Sequence, residues 1–270
     1  MKLRAVRDTL IDRRLARSNI NAMISCVKLA FKWAASHEMI PGSVVADLGT
    51  LEGLRYGRSL AKETEPVAPV LEAHIEAVRP HLSTPVAAMI NLQLLTGARP
   101  GEIVQLRSTD FDRTGKVWTA HIASHKNAYR RKERVLYFGP KAQEILRPYL
   151  MQRPVGDYLF SPREAERERY QKCGVHRREN QKPNERATVR VVGACYTTQS
   201  YGRAIVRACG KAGIPPWSPN QLRHNAGTRL RQEYGLDAAA VVLGHARCDV
   251  TQVYAEMNTS KAVDIIGVIG

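Results

Sequence analysis

Residues 243–256 read LGHARCDVTQVYAE, and the interpretation of the whole chain starts from them. His245 stands near the beginning of this stretch, and Tyr254 follows nine positions later. A tyrosine alone says little, but this one completes an ordered set of five candidate side chains: Arg99, Lys126, Arg223, His245 and Tyr254. Metal-free transfer of a phosphoryl group to a protein hydroxyl requires these residue types, because cations neutralise a pentacoordinate phosphate, a lysine protonates a leaving oxygen and a tyrosine attacks.

The other members of the set lie in three recognisable sequence motifs. These segments are TGARPGE (residues 96–102), SHKNAYRRKERVLYF (124–138) and SPNQLRHNAGTR (218–229). The residues of these motifs and their order resemble those of the tyrosine recombinase (phage-integrase) family. The resemblance extends from about residue 65 to the C-terminus, with a weaker similarity upstream. Each motif alone is only moderately specific, but five in the family's order make a specific pattern.

The resemblance implies a role for each member of the set. Arg99 and Arg223 would grip the scissile phosphate, for which a bidentate guanidinium is better suited than an ammonium. Lys126 would protonate the departing 5′ oxygen, and His245 would hydrogen-bond the phosphate and orient the nucleophile. Tyr254 would attack phosphorus and hold the DNA as a 3′-phosphotyrosyl link, until a 5′-hydroxyl attacks that link in turn.

Three further residues are expected to support this site. Glu102, in the first of the segments, would brace the site from behind Arg99. Asn220 stands where the family commonly has a histidine. An amide cannot carry a proton at neutral pH, so Asn220 is expected to hydrogen-bond rather than to act as a general base. His224, next to Arg223, is interpreted as a structural group.

Residues 1–56 are predicted to be helical. One helix can start at residues 19–21 and is stopped at Pro41 and Gly42, because these residues break the backbone ladder. Its apolar positions recur at three- and four-residue steps: Met23, Ile24, Val27, Ala30, Phe31 and Ala34. The pattern resembles the second half of the family's small helical, SAM-like core-binding domain, so a partial domain of this kind is expected. The polar segment 57–69 is interpreted as an interdomain linker.

Residues 70–270 are predicted to form the catalytic domain, mainly α-helical with a small antiparallel β-hairpin. Apolar residues after Pro85 predict a buried helix that Gly97 ends, so Arg99 is expected at a helix junction. Another helix is expected to present one face made of Tyr201, Ile205, Val206 and Cys209. Later helices are predicted at 220–234, 237–243, 250–255 and about 262–266.

The hairpin is predicted from two β-rich runs, 116–122 and 134–138. Lys126 lies between these runs and is the expected proton donor at the hairpin tip. Lys116 and Lys132 lie nearby, and they remain alternatives for that role.

Two other segments of the catalytic domain carry open interpretations. Residues 161–195 are highly charged and without period, which predicts a disordered or loosely helical insertion with a net positive balance. This insertion would be either a solvated loop or a segment that contacts DNA phosphates. The aliphatic side chains of the tail 258–270 would fold onto their own core or, as the resemblance implies, dock on a neighbouring protomer.

Composition limits the classes of partner and cofactor. Lys and Arg outnumber Asp and Glu by 41 to 25, a formal net charge of +16, and nucleic acid is the leading candidate partner. The five cysteines form no C-x-x-C pair, so neither a disulfide framework nor a zinc site is expected. No carboxylate cluster indicates magnesium, and no phosphate-binding glycine loop indicates ATP, so no cofactor is expected. The absence of a signal-like or membrane-spanning apolar run favours a cytoplasmic, nucleoid-associated protein of a bacterium or phage.

The preferred interpretation is a site-specific DNA recombinase or integrase that acts on a specific double-stranded site. The resemblance implies a homotetramer on DNA and a monomer or dimer when DNA is absent. A second interpretation, favoured by the short N-terminal region and Asn220, is a catalytically impaired protein that occupies recombination sites. A third is a type IB topoisomerase, which shares the chemistry but acts alone.

Overall fold

The computed structural model describes residues 2–123, 134–173 and 192–244. Lys126, His245 and Tyr254 lie outside the described residues, as do the helices expected at 250–255 and 262–266. The chain divides into two compact units, one ending at Val67 and the other beginning at Ala68.

The first unit contains three helices. They are α1 (Lys2–Asp12), α2 (Arg17–Ser36) and α3 (Gly42–Gly49). Its small buried core consists of Ile20, Ile24, Leu51 and Ala61. Helix α2 begins at Arg17, two residues before the earliest predicted start at residue 19. It ends before Pro41, as predicted.

The buried face of α2 differs from the prediction. Ile24 is buried, but Met23 and Phe31 are 49% and 38% exposed, and Val27 is also exposed. The physical reason is the size of the unit, since so few residues can cover only one side of a long helix. Helical periodicity was present in the sequence, but it could not show which apolar side chains would find a partner.

Part of the segment expected to be a linker packs on the first unit. Ala61 belongs to the core of this unit, and the Glu63 carboxylate accepts a hydrogen bond of 2.8 Å from Arg17 Nε. The backbone N–H of Arg17 also donates to the carbonyl of Lys62. Residues 61–63 are thus fixed by tertiary contacts, and the boundary between the units falls four residues further on.

The second unit is mainly helical and carries one small sheet. Its helices are α4 (Glu72–Val78), α5 (Thr84–Thr96), α6 (Pro100–Val104), α7 (Pro140–Gln152), α8 (Pro162–Cys173), α9 (Thr198–Ala212), α10 (Pro219–Tyr234) and α11 (Leu236–Leu243). Single 3-10 turns lie at Arg79–His81 and Ser108–Asp110. The core is continuous among the described residues, and α5 runs through it with Val86, Met89, Ile90 and Leu92 buried. The buried helix predicted after Pro85 is confirmed, and Gly97 ends it.

The sheet is antiparallel, in the order β1 (Phe111–Asp112), β2 (Trp118–His121) and β3 (Val135–Phe138). Strands β2 and β3 are the predicted hairpin pair, with Ala120 opposite Leu136. Both strands are shorter than the β-rich runs that indicated them. Strand β1 was not expected, because two residues are too few to give a periodic signal.

The segment 161–195 is more ordered at its start than predicted. Pro162–Cys173 forms the regular helix α8, whose Ala165 packs against the core. The Glu168 carboxylate accepts a hydrogen bond of 2.9 Å from the backbone N–H of Thr84, and Glu164 pairs with Arg153. Of the two expected forms, disordered or loosely helical, this part takes the helical one, since Glu and Arg are good helix formers and Ala165 and the two carboxylates dock the helix. Residues 174–191 lie outside the described part of the chain.

Helix α9 also departs in one position from the prediction. Tyr201, Ile205 and Cys209 are buried, whereas Val206 is 48% exposed. Residues 201, 205 and 209 follow a four-residue step, and residue 206 lies about 100° from residue 205 around the helix.

Candidate active site

The turn before Arg99 is fixed by buried polar contacts. Gly97 adopts the left-handed conformation, with φ of 63°, and caps the C-terminus of α5. The Nε2 group of Gln93 donates to the carbonyl of Ala98 at 3.0 Å. The Oε1 atom of Gln93 accepts a hydrogen bond of 2.8 Å from the Tyr201 hydroxyl. The backbone that carries Arg99 is therefore held from inside the core, as a residue at a helix junction was expected to be.

Arg99 and Glu102 form a closed pair at the start of α6. The backbone N–H of Arg99 donates to Glu102 Oε2 at 2.9 Å, and Arg99 Nη1 donates to Oε1 at 2.8 Å. The side chain of Glu102 is 3% exposed, whereas that of Arg99 is 33% exposed. The carboxylate thus lies behind the guanidinium, and the guanidinium remains accessible from outside.

A second arginine, Arg134, approaches the same carboxylate from the start of strand β3. Its Nε and Nη2 atoms lie 3.2 Å and 3.3 Å from Glu102 Oε1 and Oε2. Its side chain is 5% exposed. Arg134 is not among the residues predicted from the sequence, because it is one of several cations in RRKER and only its buried partner distinguishes it.

The two arginines keep Glu102 ionised. Burial alone would raise the pKa of this carboxyl group, but the charge of Arg134 and the hydrogen bonds and charge of Arg99 outweigh burial. The pKa of Glu102 consequently lies below its ordinary value of 4.5. The site therefore contains a permanent negative charge enclosed between two cations at neutral pH.

Arg223 is the buried centre of the site. It extends from α10, and 2% of the residue is exposed. Its Nη1 donates to the carbonyl of Gly97 at 2.6 Å, and its Nη2 donates to the carbonyl of Leu243 at 2.8 Å. Gly97 lies two residues before Arg99, and Leu243 lies two residues before His245. One guanidinium group thus joins the ends of three of the motif segments.

The turn after α11 is tightly packed against the rest of the site. Gly244 caps α11 with a φ of 64°, and a Cβ placed there would collide with Arg134 Nη1. A Cβ at Gly97 would likewise collide with Leu243. Both glycines are favoured by their left-handed backbone, and a Cβ at either position would require a neighbouring side chain to move.

The two remaining supporting candidates differ in exposure. His224 follows Arg223 on α10 and is partly buried. Burial first, and then the charge of Arg223, lowers the pKa of His224 below its ordinary value of 6.5, so the imidazole is neutral at neutral pH. Asn220 lies in the first turn of α10 and is exposed. The hydrogen-bonding role of its amide stays a prediction.

The described geometry brings Arg99, Glu102 and Arg223 together, with Arg134 added. Lys126, His245 and Tyr254 fall outside it. The contact that links Arg99 and Arg223 is backbone-mediated: Arg223 donates to the carbonyl of Gly97, two residues before Arg99, while Arg99 and Arg134 both pair with Glu102. Within the described ranges, no group of three or more His, Cys, Asp or Glu side chains is arranged to hold a metal ion. Among the same residues, no helix is long and apolar enough to cross a membrane.

Solved structures share this fold at low sequence identity. The Tn1549 transposon integrase in complex with circular intermediate DNA matches with a TM-score of 0.63 and 17% identity, over 96% of this chain and 82% of that one. A lambda integrase dimer bound to a COC′ core site matches with a TM-score of 0.61 and 14% identity, over 93% and 63% of the two chains. The likeness confirms the predicted mainly α-helical fold with a small antiparallel sheet.

The sequence comparison defines the family. The model described as "Phage integrase family" matches residues 68–261, and the chain belongs to this family. Tyrosine recombinases XerC from Bifidobacterium longum (strain DJO10A) and from B. longum subsp. infantis are each 30% identical over 181 residues, or 65% of this chain. The chain spans 44% of the length of these curated relatives.

Proposed function

We propose that the protein is a site-specific DNA strand transferase that cuts and rejoins double-stranded DNA through a covalent phosphotyrosine. The observation that carries the proposal is the pair of hydrogen bonds from Arg223 to the carbonyls of Gly97 and Leu243. These bonds connect the segments that contain Arg99 and Arg223 and reach the residue before the Gly244–His245 pair. Membership of the phage integrase family supports the same chemistry.

The proposed reaction conserves the energy of the broken bond. The Tyr254 hydroxyl releases its proton to water and attacks phosphorus, forming a tyrosyl P–O bond while the bond from phosphorus to the 5′ oxygen breaks. Lys126 donates the proton that the departing 5′ oxygen takes up. Arg99 and Arg223 balance the charge of the phosphate as it becomes pentacoordinate, with His245 as a further hydrogen-bond donor. Rejoining is the reverse attack by a 5′-hydroxyl, so neither ATP nor a metal ion is part of the proposed step.

The test is a covalent trapping experiment that works with an unidentified DNA site. The protein is incubated, with chelator and without ATP, with nicked duplexes of randomised sequence. In these duplexes, cleavage releases a short 5′-hydroxyl strand that diffuses away. We expect the wild type to form an adduct that survives denaturant, and sequencing of the trapped DNA to give a preferred duplex. Tyr254→Phe should form no adduct, because the nucleophilic oxygen is missing.

Two controls make the trapping result decisive. Tyr234→Phe removes an exposed hydroxyl from the C-terminus of α10 and should trap DNA like the wild type. Adduct formation by Tyr254→Phe would show that another residue is the nucleophile. An adduct that required a divalent cation would contradict the metal-free step.

A second candidate function is a recombinase-like protein that occupies DNA without cutting it. Asn220 favours it, because an exposed amide replaces a proton-carrying side chain in the first turn of α10. The same experiment separates the candidates, since this protein would retain the preferred duplex in a native gel and trap no adduct. Asn220→His would then be expected to restore trapping.

The proposed partner is double-stranded DNA carrying a specific site, and the proposed assembly is a homotetramer on that DNA. The net charge of +16 supports a polyanionic partner. The Tn1549 and lambda integrase structures both contain DNA. We place the activity in the bacterial cytoplasm, at the nucleoid, where such DNA is found.

A further inference from the structure

Arg134 has contacts that the proposed reaction does not explain. It is almost fully buried, and it lies eight positions after Lys126 in the sequence. Its side chain contacts two of the motif segments at once. Nε and Nη2 bond the Glu102 carboxylate, and Nη1 donates to the carbonyl of Val242 at 3.4 Å.

Arg99 and Arg134 each bond both oxygens of the Glu102 carboxylate. Oε1 accepts from Arg99 Nη1 and from Arg134 Nε. Oε2 accepts from the Arg99 backbone N–H and from Arg134 Nη2. Each carboxylate oxygen thus bonds both arginines, and Arg134 fixes the plane in which Glu102 meets Arg99. Without Arg134, a buried carboxylate would retain Arg99 as its main cation, and Arg99 would be drawn towards it.

Arg134 also shapes the turn that leads to His245. Its Nη1 group packs so closely on Gly244 that a Cβ there would overlap with it. The same nitrogen bonds the carbonyl of Val242 in the last turn of α11. One side chain therefore sets the orientation of Glu102 and the path of the backbone on the other side of the site.

We propose that Arg134 is a positioning residue for strand cleavage, which holds the Arg99 guanidinium ready for the scissile phosphate through their shared partner Glu102. It does not touch the DNA itself. This role rests on the proposed function, because it concerns the geometry of the same phosphate site. Replacement of Arg134 is therefore expected to slow the cleavage step while the affinity for DNA stays close to that of the wild type.

The experiment compares Arg134→Gln with Arg134→Lys and with the control Arg153→Gln. Arg153 is a suitable control because it is also largely buried, pairs with Glu164 and donates to the carbonyl of Leu159, away from the motif segments. Single-turnover cleavage, DNA affinity and thermal unfolding are measured with the nicked duplex recovered from the randomised pool. For Arg134→Gln we expect roughly 100-fold slower cleavage with affinity within about threefold of wild type.

A second substrate separates positioning from a general loss of structure. In a duplex with a methylphosphonate at the scissile position, one charged non-bridging oxygen is replaced by a methyl group, so Arg99 has less charge to neutralise. The defect of Arg134→Gln should shrink to roughly tenfold or less on this neutral substrate. Arg153→Gln should cleave both substrates within about threefold of wild type. Arg134→Lys, which retains the charge, should fall between wild type and Arg134→Gln, and it serves as the test variant if Arg134→Gln does not fold.

The outcomes distinguish this role from the proposed function. An active wild type together with wild-type cleavage by Arg134→Gln overturns the role of Arg134 alone. Equal losses on the charged and neutral substrates also overturn it, because they indicate a structural defect that does not act through Arg99. A wild-type chain that traps no DNA overturns the proposed function, and this role with it.

Discussion

At the scale of single residues, the site is organised by one carboxylate and three arginines. Glu102 lies between Arg99 and Arg134, and Arg223 binds the backbone on either side of them. A buried carboxylate is stable only when its charge is compensated, so Glu102 and its two partners stabilise the fold as a unit. In the proposed reaction, Arg99 and Arg223 are thus held in place by protein contacts before any phosphate binds.

The pH dependence of stability follows from the lowered pKa of Glu102. A carboxylate with a depressed folded-state pKa stabilises the protein above its unfolded-state pKa, and this stabilisation is lost as the pH falls through the folded-state value. Glu102→Gln should therefore lower the free energy of unfolding by about 2–4 kcal/mol at about pH 7. The difference from wild type should shrink as the pH falls below the ordinary value of 4.5.

Urea denaturation across this pH range measures the effect. Glu76→Gln is the control, because Glu76 pairs with Arg79 on the surface, where an ion pair contributes about 0–1 kcal/mol. A difference between Glu102→Gln and wild type that stayed constant down to about pH 3.5 would contradict the assigned shift in pKa.

The location of Arg99 and its contact with Glu102 could be predicted at this scale, for physical reasons that differ between the two residues. Arg99 could be placed at a helix junction because Gly97 and Pro100 mark the end of one helix and the start of the next. The role of Glu102 as a brace was also expected. Arg134 could not be found, since its burial depends on Glu102 and Val242, which are distant in sequence.

At the scale of elements, the candidate site depends on the packing of the C-terminal end of α5 against the C-terminal end of α11. Gly97 caps α5, and the space beside its Cα is filled by Leu243 from the last turn of α11. The carbonyls of both residues accept from Arg223. A side chain at position 97 would thus require the Leu243 side chain to move.

Gly97→Ala tests this close approach against a matched glycine. Gly213 caps α9 with a φ of 68°, close to the 63° of Gly97, but a Cβ at Gly213 meets nothing within 4 Å. Gly213→Ala should destabilise the protein by about 1–2 kcal/mol, the cost of the left-handed backbone alone. Gly97→Ala should cost roughly 2 kcal/mol more, because the overlap with Leu243 adds to it.

Thermal unfolding of both variants gives the comparison, together with trapping of the recovered duplex. Gly213→Ala should trap DNA normally below its unfolding temperature, whereas Gly97→Ala should trap little. Equal stabilities for the two variants would show that α11 moves away from position 97 without cost.

Element prediction succeeded where backbone breakers or β-rich runs marked the boundaries and failed where tertiary contacts decided. Helix α5 and the pair β2–β3 were predicted from such local signals. Helix α8 was expected only as a loosely helical alternative to disorder, because its charged sequence lacks an apolar period. The exposed face of α2 had a strong helical period, but periodicity does not show whether a partner is present.

At the scale of the whole molecule, the two units differ greatly in how much core they contain. Among the described residues, the first has four buried core residues, whereas the second has a continuous cluster that extends from Val70 to Leu222. A short chain buries too small a fraction of its surface to be stable without help, and this limit applies to the first unit.

Separating the units at their boundary should therefore have unequal effects. The fragment 68–270 should unfold cooperatively, with a midpoint within about 5 °C of the main transition of the full chain. The fragment 1–67 should show helical circular dichroism without a cooperative transition. A sharp thermal transition in the shorter fragment, or its absence in the longer one, would contradict this division of stability.

The reach of the Arg223 bonds has a consequence for synthesis of the protein on the ribosome. Gly97 is synthesised early, but Arg223 is 126 positions further along the chain and Leu243 is another 20 positions beyond it. The hydrogen bonds of Arg223 to both carbonyls can therefore form only after α10 and the end of α11 have been synthesised. At about 5–20 residues per second, this delay lasts roughly 7–30 seconds. The contacts of Arg223 with the carbonyls of Gly97 and Leu243 therefore form only after most of the chain has been made.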